Sequence, residues 1–474
     1  MRHPTILNAC ALVLPLIAVA SCSRDDVVAA PSSPSSPPSS PAVLGSAVAP
    51  NVNNALSLIV SARVRRADSV AVRYGTSTSL DSISPAVKAS GDSAIIPVLG
   101  LLPGTAYNLN VVAFGSGRVV TGELLSFTTD TLPEDLPHFT TSGDDPSPGY
   151  VVFGSGRYGL AIDNTGRVVW YHRFRDGPGL NFEAEPTGTY VARPTTPDPN
   201  DLDPWVEIDP SGNAVRTFGC ARNLQSRFHD LITEADGAYW IMCDQVRTMD
   251  LSDMGGNKGA KVMGTVVQHV SATGQLLFEW SPFDAFDVAD LDSASRSGSS
   301  VNWTHGNSID LDADGNLLVS FRNLNEITKI DTRTGAVLWR MGGTRNQFTF
   351  EGARTPPFAF QHALRSTGPG EFVLLDNMGD PTVSRVERFT YDATTRTARM
   401  TGSYAPEPAA ISQTGGSAQT LPNGRTLVSF GPAGRVEEVD SAGRVMWRIE
   451  GNPGYVFRAQ RVRSLYRPGV GTPR

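Results

Sequence analysis

The chain has 474 residues and a formal net charge of -7 at neutral pH. That length suffices for two or three domains with sizeable cores. The acidic balance excludes a nucleic-acid partner held on a broad basic surface, so any anion must be held locally.

The first elements in chain order concern export. "MRHPT", the apolar "ILNACALVLPLIAVA" and "SC" are expected to form a signal peptide over residues 1–21, because the apolar core is too short and too early for an ordinary spanning helix. "VASC" at 19–22 resembles the bacterial lipobox, which implies cleavage before Cys22 and acylation of its thiol. A membrane is then a partner through that lipid anchor, and the protein is expected in the cell envelope, facing the periplasm or the exterior. Residues 22–42 contain "PSSPSSPPSSP", which cannot bury a core and prefers extended conformations, so they are a tether. The mature chain keeps two further cysteines, Cys220 and Cys243. In an oxidising compartment these are expected to pair, closing a loop for roughly 3 kcal/mol.

Residues 43–132 alternate like short strands, as in "ALSLIVSARV", "SVAVRYG" and "YNLNVVAFG". "GLLPGTAYNLNVVA" followed by "SFTTDTLP" resembles a fibronectin type III β-sandwich, with Tyr107 where that fold keeps a corner tyrosine. Residues 145–474 repeat one phrase six times: "IDNTGRVVWY", "IDPSGNAVRTF", "VSATGQLLFEW", "IDTRTGAVLWRM", "YDATTRTARM" and "VDSAGRVMWRI". Four repeats show an earlier hairpin turn, in "EADGAYWIM", "DADGNLLVS", "TGPGEFVLL" and "LPNGRTLVS". Short strands and turn signals recurring every 40 to 60 residues or so indicate a six-bladed β-propeller. A strand from "YVFRAQRVRSLY" is expected to close it onto the first blade. The expected fold is all-β: a fibronectin type III-like sandwich followed by the propeller.

The inner strand of a blade lines the central channel. His229 and His362 each stand eight residues before a turn glycine (Gly237 and Gly370), and His305 stands ten before Gly315. A difference of two keeps the same face of a strand, so three of the seven histidines are expected to converge. Hairpin pairing places Arg322 across from His305, with Asn307 on the same face as His305. A buried arginine needs an anionic partner; no acidic residue is obviously placed to serve, and Asp244 is the one candidate. The connections before His305 and His362 bring Trp303, Phe358 and Phe360, with Phe283, Phe286, Phe348 and Phe350, over the channel. Aromatics beside an anion site suit a ligand with a flat apolar body and a charged head. His3, His138, His172 and His269 carry no role. "DLDADG" at 310–315 begins like a calcium loop, but Phe321 stands where the bidentate acid belongs. "GSGRYG" at 154–159 lacks the helix a dinucleotide site requires.

"HDL", then "HGNS" with "SFR" on the next strand, then "QH" resemble the bacterial arylsulfate sulfotransferases over roughly residues 145–465. These are propeller enzymes independent of nucleotide sulfate donors. The resemblance implies that His362 takes the sulfuryl group of an aryl sulfate as a sulfohistidine and passes it to a phenolic acceptor. It implies that His229, His305, Asn307 and Arg322 bind sulfuryl oxygens and serve as acid or base, with neither metal nor other cofactor. Some members carry a short disulfide loop ahead of the third histidine, whereas residues 343–361 here lack cysteine. Two other classes stay open: a tethered module that binds an anionic aromatic ligand, and a hydrolase with zinc on three histidines. A homodimer is also left open.

Overall fold

The computed structural model describes residues 40–195 and 204–474. The signal peptide, Cys22 and most of the tether fall outside the described residues. What is described is nearly all β-strand, and among the described residues no helix is long and apolar enough to cross a membrane.

Ala42–Pro50, Ser57–Arg65 and Ser93–Leu99 form one N-terminal sheet, and Ser69–Gly75, Ala106–Gly115 and Arg118–Thr128 build the second. Alternate residues of Ser57–Arg65 point inward, so Leu58, Val60 and Val64 pack against Val72, Ile96, Leu109 and Val111 in one apolar core. The Tyr107 hydroxyl accepts from the Leu102 amide at 3.0 Å and ties this core to the preceding turn. The sandwich is fastened to the rest of the chain by side-chain bonds: Asn54 donates to the Tyr171 carbonyl at 3.0 Å, and the Leu99 amide to the Tyr466 hydroxyl at 3.0 Å.

Six sheets follow among the described residues, antiparallel except where Ser300–Asn302 joins the third and Thr349–Glu351 the fifth in parallel. In chain order their innermost strands are Ala459–Val462, Phe182–Ala184, Gln225–Thr233, Gly306–Leu311, His362–Gly368 and Ser417–Thr420. The first of these comes from the C-terminal end and pairs with Tyr150–Ser155, so the last stretch of chain completes the first sheet. Thr140–Ser142 is added at the outer edge of the sixth. Each inner strand is a sheet edge with unpaired amides, and side chains of the neighbouring sheet satisfy them. The Ala184 amide donates to Gln460, Thr233 to Glu185, Ile309 to Asp230, Leu364 to Ser308 and Ala459 to Ser417, all at 2.9–3.1 Å. The sheets thus follow one another round a ring, with apolar clusters between neighbours. Trp170, Phe182 and Tyr190 stack between the first and second, and Trp280 meets Phe321 between the third and fourth.

Cys220 and Cys243 form a disulfide. Cys220 lies in the connection leading to the third inner strand, and Cys243 is in the next strand, opposite Ser226. The bond pins the segment that carries His229.

Candidate active site

His229 lies within the third inner strand, His362 opens the fifth, and His305 immediately precedes the fourth. The repeat brings their rings together: His229 to His305 is 4.9 Å between centroids, and His229 to His362 is 6.4 Å. Phe457 packs 5.9 Å from His229 and 6.4 Å from His362. His305 adopts φ +46°, so strict strand alternation does not carry its face on to Asn307. A side chain at the next residue, Gly306, would collide with Thr265, its Cβ lying 2.8 Å from Thr265 Cγ2 and 3.0 Å from Thr265 Cβ. The His305 carbonyl accepts from the Arg322 amide at 3.0 Å, which places the two residues across the hairpin from each other.

The protonation of each imidazole follows from its partners. Nδ1 of His362 faces two acceptors, the Phe360 carbonyl at 3.0 Å and Asn377 Oδ1 at 2.9 Å. The orientation of that amide is fixed, because Asn377 Nδ2 donates to the Ser412 and Gly415 carbonyls at 2.7 and 2.9 Å. Nδ1 of His362 therefore carries the hydrogen, leaving a lone pair on Nε2. His229 is the reverse. Arg227 Nε lies 3.3 Å from its Nδ1; a guanidinium only donates, so Nδ1 accepts and Nε2 carries the hydrogen. His305 Nδ1 meets the Asn302 amide at 2.7 Å.

Burial holds all three rings neutral. It pushes the His362 pKa down to about 3, against the raising effect of Asn377, with Arg322 adding to the depression. His229 and His305 are held well below the ordinary histidine value, again by burial first and then by Arg227.

Arg322 has no carboxylate partner among the described residues. It donates to Asn323 Oδ1 at 2.8 Å and to the Gln413 carbonyl at 3.1 Å, and lies over the Phe360 ring at 4.5 Å. Its Nε is buried without a partner. Asp244 does not serve it; that carboxylate pairs with Arg227. The cluster thus combines neutral imidazoles with one guanidinium whose charge is unmatched, which is a setting for an anion.

The comparisons agree with this chemistry. The family described as Arylsulfotransferase (ASST) matches residues 209–452, just over half of the chain and all three histidines. The chain belongs to the arylsulfotransferase family. No curated protein matches it. Among solved structures, this arylsulfotransferase is similar to a Bacteroides caccae protein of unknown function at 13% identity, over 66% of this chain and 98% of that one, with a TM-score of 0.42. It is similar to a catalytically inactive virginiamycin B lyase from Staphylococcus aureus at 10% identity, over 65% and 87%, with a TM-score of 0.36. Neither likeness informs the chemistry.

Not every expected site residue reaches the site of this arylsulfotransferase. Trp303 is fully buried in the apolar cluster between the third and fourth sheets, against Phe283 at 5.2 Å. Trp303 is a core residue, because the connection before His305 folds back onto the sheets and buries its largest side chains first. Phe358 packs between Phe350 and Phe389 and also borders a cavity beside Phe360. Phe360, 36% exposed, remains beside Arg322. Asn307 is wholly buried and commits Nδ2 to the Gln361 carbonyl at 2.6 Å, holding the peptide ahead of His362. The "DLDADG" turn holds an ammonium, with Lys329 Nζ 2.6 Å from Asp312. Arg227, Asn377 and Phe457 went unnoticed in the sequence. For Asn377 a signal exists: it lies seven residues after Gly370, as Arg322 does after Gly315 and Asp244 after Gly237.

Proposed function

We propose that this arylsulfotransferase moves a sulfuryl group from an aryl sulfate to a phenol through a sulfohistidine on His362, by ping-pong kinetics and without nucleotide sulfate. The observation that carries the proposal is the neutral His362 with its Nε2 lone pair free beside a guanidinium that lacks a carboxylate. Nε2 attacks sulfur, the N–S bond forms as the S–O bond to the aryl group breaks, and the departing phenolate takes a proton from His305. Arg322 and the Nε2–H of His229 meet the charge on the sulfuryl oxygens. In the second half, His305 takes the proton of the acceptor phenol, the phenolic oxygen attacks sulfur, and the N–S bond breaks to return neutral His362. His305 ends protonated and returns that proton to solvent as the sulfated product leaves. It takes a proton up from solvent again when the next anionic sulfate binds beside it and raises its proton affinity.

A cavity of about 560 Å³ shares Asn323 and Phe360 with the surroundings of Arg322 and is also lined by Phe350, Phe358 and Pro357. Its size and aromatic walls suit the aryl body of a donor or acceptor. Guanidinium groups flank the imidazoles, and among the described residues no set of three histidine, cysteine, aspartate or glutamate side chains is placed for a metal ion. Both features favour an anion over zinc. The six sheets are proposed as blades of a six-bladed propeller, with the N-terminal pair of sheets a fibronectin type III-like module. Lipidation at Cys22 after the tether is proposed to hold the enzyme at the cell envelope.

The test is a two-substrate assay. A colourless aryl sulfate should release coloured phenol in step with sulfation of an added phenol, and initial-rate plots at several acceptor concentrations should be parallel. Intersecting plots would mean a ternary complex and end the covalent mechanism. Donor-treated enzyme without acceptor should carry a labile sulfuryl adduct on the peptide containing "FAFQHALR".

A further inference from the structure

The turn glycine of a hairpin fixes a position seven residues later, within the second strand of the third sheet and just past it in the fourth and fifth. In the third, fourth and fifth sheets that position holds Asp244, Arg322 and Asn377. Each reaches the imidazole cluster differently. Asn377 accepts from His362 Nδ1 directly. Asp244 grips Arg227, and Arg227 donates to His229 Nδ1. Arg322 faces the cluster with no carboxylate of its own.

These contacts are built into the interior. Asn377 is fully buried, and its two Nδ2 hydrogens are spent on carbonyls of the segment before the sixth inner strand. Its backbone carbonyl accepts from the Ser384 hydroxyl at 2.8 Å, so the side chain cannot turn its NH2 toward the ring without losing two hydrogen bonds. Arg227 is 4% exposed and anchored by Asp244, and the Trp205 indole N–H donates to its carbonyl at 2.9 Å.

We propose that Asn377 and Arg227 are positioning residues that hold His362 and His229 in opposite tautomers, so that the cluster presents one lone pair and one N–H donor to the sulfuryl group. The catalytic meaning of this assignment rests on the transfer reaction proposed above. In solution the two tautomers of imidazole interconvert freely, and a nucleophilic ring in the wrong one offers its hydrogen where its lone pair is needed. Asn377, with the Phe360 carbonyl beside it, removes that ambiguity for His362. As a neutral acceptor it also leaves the Nδ1 hydrogen on the ring throughout. Once Nε2 is sulfurylated the ring is cationic, and it departs in the second step as neutral imidazole without exchanging a proton with its neighbour. Arg227 sets the complementary state in His229, whose Nε2–H can then donate to a sulfuryl oxygen.

The full-length enzyme labelled with 15N at histidine tests this directly, because Nδ1 and Nε2 shifts separate the two tautomers. His362→Gln and His229→Gln serve to assign the signals. Wild-type protein should show an Nδ1–H tautomer for His362 and an Nε2–H tautomer for His229. The Asn377→Leu variant should mix the His362 tautomers and lower kcat/KM for the donor about 10- to 100-fold, with KM nearly unchanged. Asn377→Asp should keep the tautomer but raise the proton affinity of His362, so that donor cleavage loses activity at a higher pH than in the wild type. A merely structural asparagine would not move that pH profile. An Nε2–H tautomer for His362 in the wild type, or an Asn377→Leu enzyme with unchanged tautomer and rate, would overturn the proposal. The expected tautomers together with no adduct on His362 would support the positioning and overturn the transfer mechanism instead.

Discussion

At one level of the ring His229, His305 and His362 are buried beside Arg227 and Arg322; one residue further along the third inner strand, Asp230 is buried among Arg365, Arg458 and Arg474. Both groups of ionisable side chains are withdrawn from water, and they resolve that cost in opposite ways. The imidazoles shed their charge, since burial and the nearby guanidiniums both disfavour the cation. The Asp230 carboxylate stays ionised: burial would raise its pKa, but the three arginines, with nitrogens 2.9–3.0 Å away, hold it far below the usual range. Neutral rings keep lone pairs and N–H groups to spend on a ligand, whereas the carboxylate has spent its oxygens on the fold. Reactivity and rigidity thus sit side by side on one strand. Arg458 joins the two, bonding Asp230 and the Asn307 carbonyl while the adjacent Phe457 packs on His229 and His362.

The comparison breaks first at His362. His362→Ala should lower turnover by about 10⁴-fold or more, as expected for loss of a covalent nucleophile, while donor binding through Arg322 persists. Unfolding in urea should show only a modest change. Full activity in this variant would remove the nucleophile from the reactive group.

Asp230→Ala should do the opposite. It removes the carboxylate that grips all three guanidiniums most closely and leaves them to Glu183 and Glu185, and breaking such a buried set costs about 3–5 kcal/mol. His229→Ala, one residue away, removes a neutral ring and should cost about 1 kcal/mol while slowing turnover. Urea midpoints of the two variants side by side test the contrast. Equal losses of stability would mean that the neighbouring positions are not divided between chemistry and scaffold.

Arg322→Ala should weaken donor binding and reduce kcat as well, together by about 10²- to 10³-fold in kcat/KM, because the arginine meets charge in the ground state and more of it in the transition state. A change in KM alone would make Arg322 a binding group only.

How far this division was legible in the sequence differs between its halves. The three histidines stood out because the repeat sets them at like distances from a turn glycine, and Arg322 followed from hairpin pairing. The interior network did not stand out. Asp230 sits beside His229 in the chain, but its partners come from the fifth inner strand and from the last stretch of chain, and only closure of the ring brings them together. Trp303 was expected at the mouth because hydrophobicity alone does not say whether an aromatic ring faces a ligand or the space between two sheets. Asp244, the one acidic candidate for Arg322, pairs instead with Arg227, a residue of a bulged strand. The disulfide was the simplest inference, since only two cysteines follow Cys22 in the sequence.

The smallest expected effect, and the one that separates the two groups most cleanly, is the pH dependence of stability. His229 and His362 have folded pKa values below the ordinary unfolded value of about 6.5. Below pH 6.5 the unfolded chain therefore takes up protons that the folded chain refuses. The stability these rings allow is fully present above that pH and is lost as the pH falls, by at most about 1.4 kcal/mol per pH unit for each ring. Asp230, also depressed, contributes stability above the unfolded value of 3.8 and loses it only as the pH falls further, through its folded value. Between pH 6.5 and about 4.5 the reactive group should therefore contribute acid destabilisation while Asp230 does not; His172, whose pKa burial also lowers, adds to it from outside both groups. Urea midpoints measured across this window should fall less steeply in His229→Gln and His362→Gln than in the wild type, and with unchanged slope in a variant altered only at an exposed carboxylate such as Asp284. Donor cleavage corrected for the folded fraction should show no acid limb near pH 6.5, since His362 keeps its lone pair down to a pKa of about 3. A limb at that pH would mean that the nucleophile is not held neutral by burial, and the distinction between the two ends of the strand would fail where it matters most.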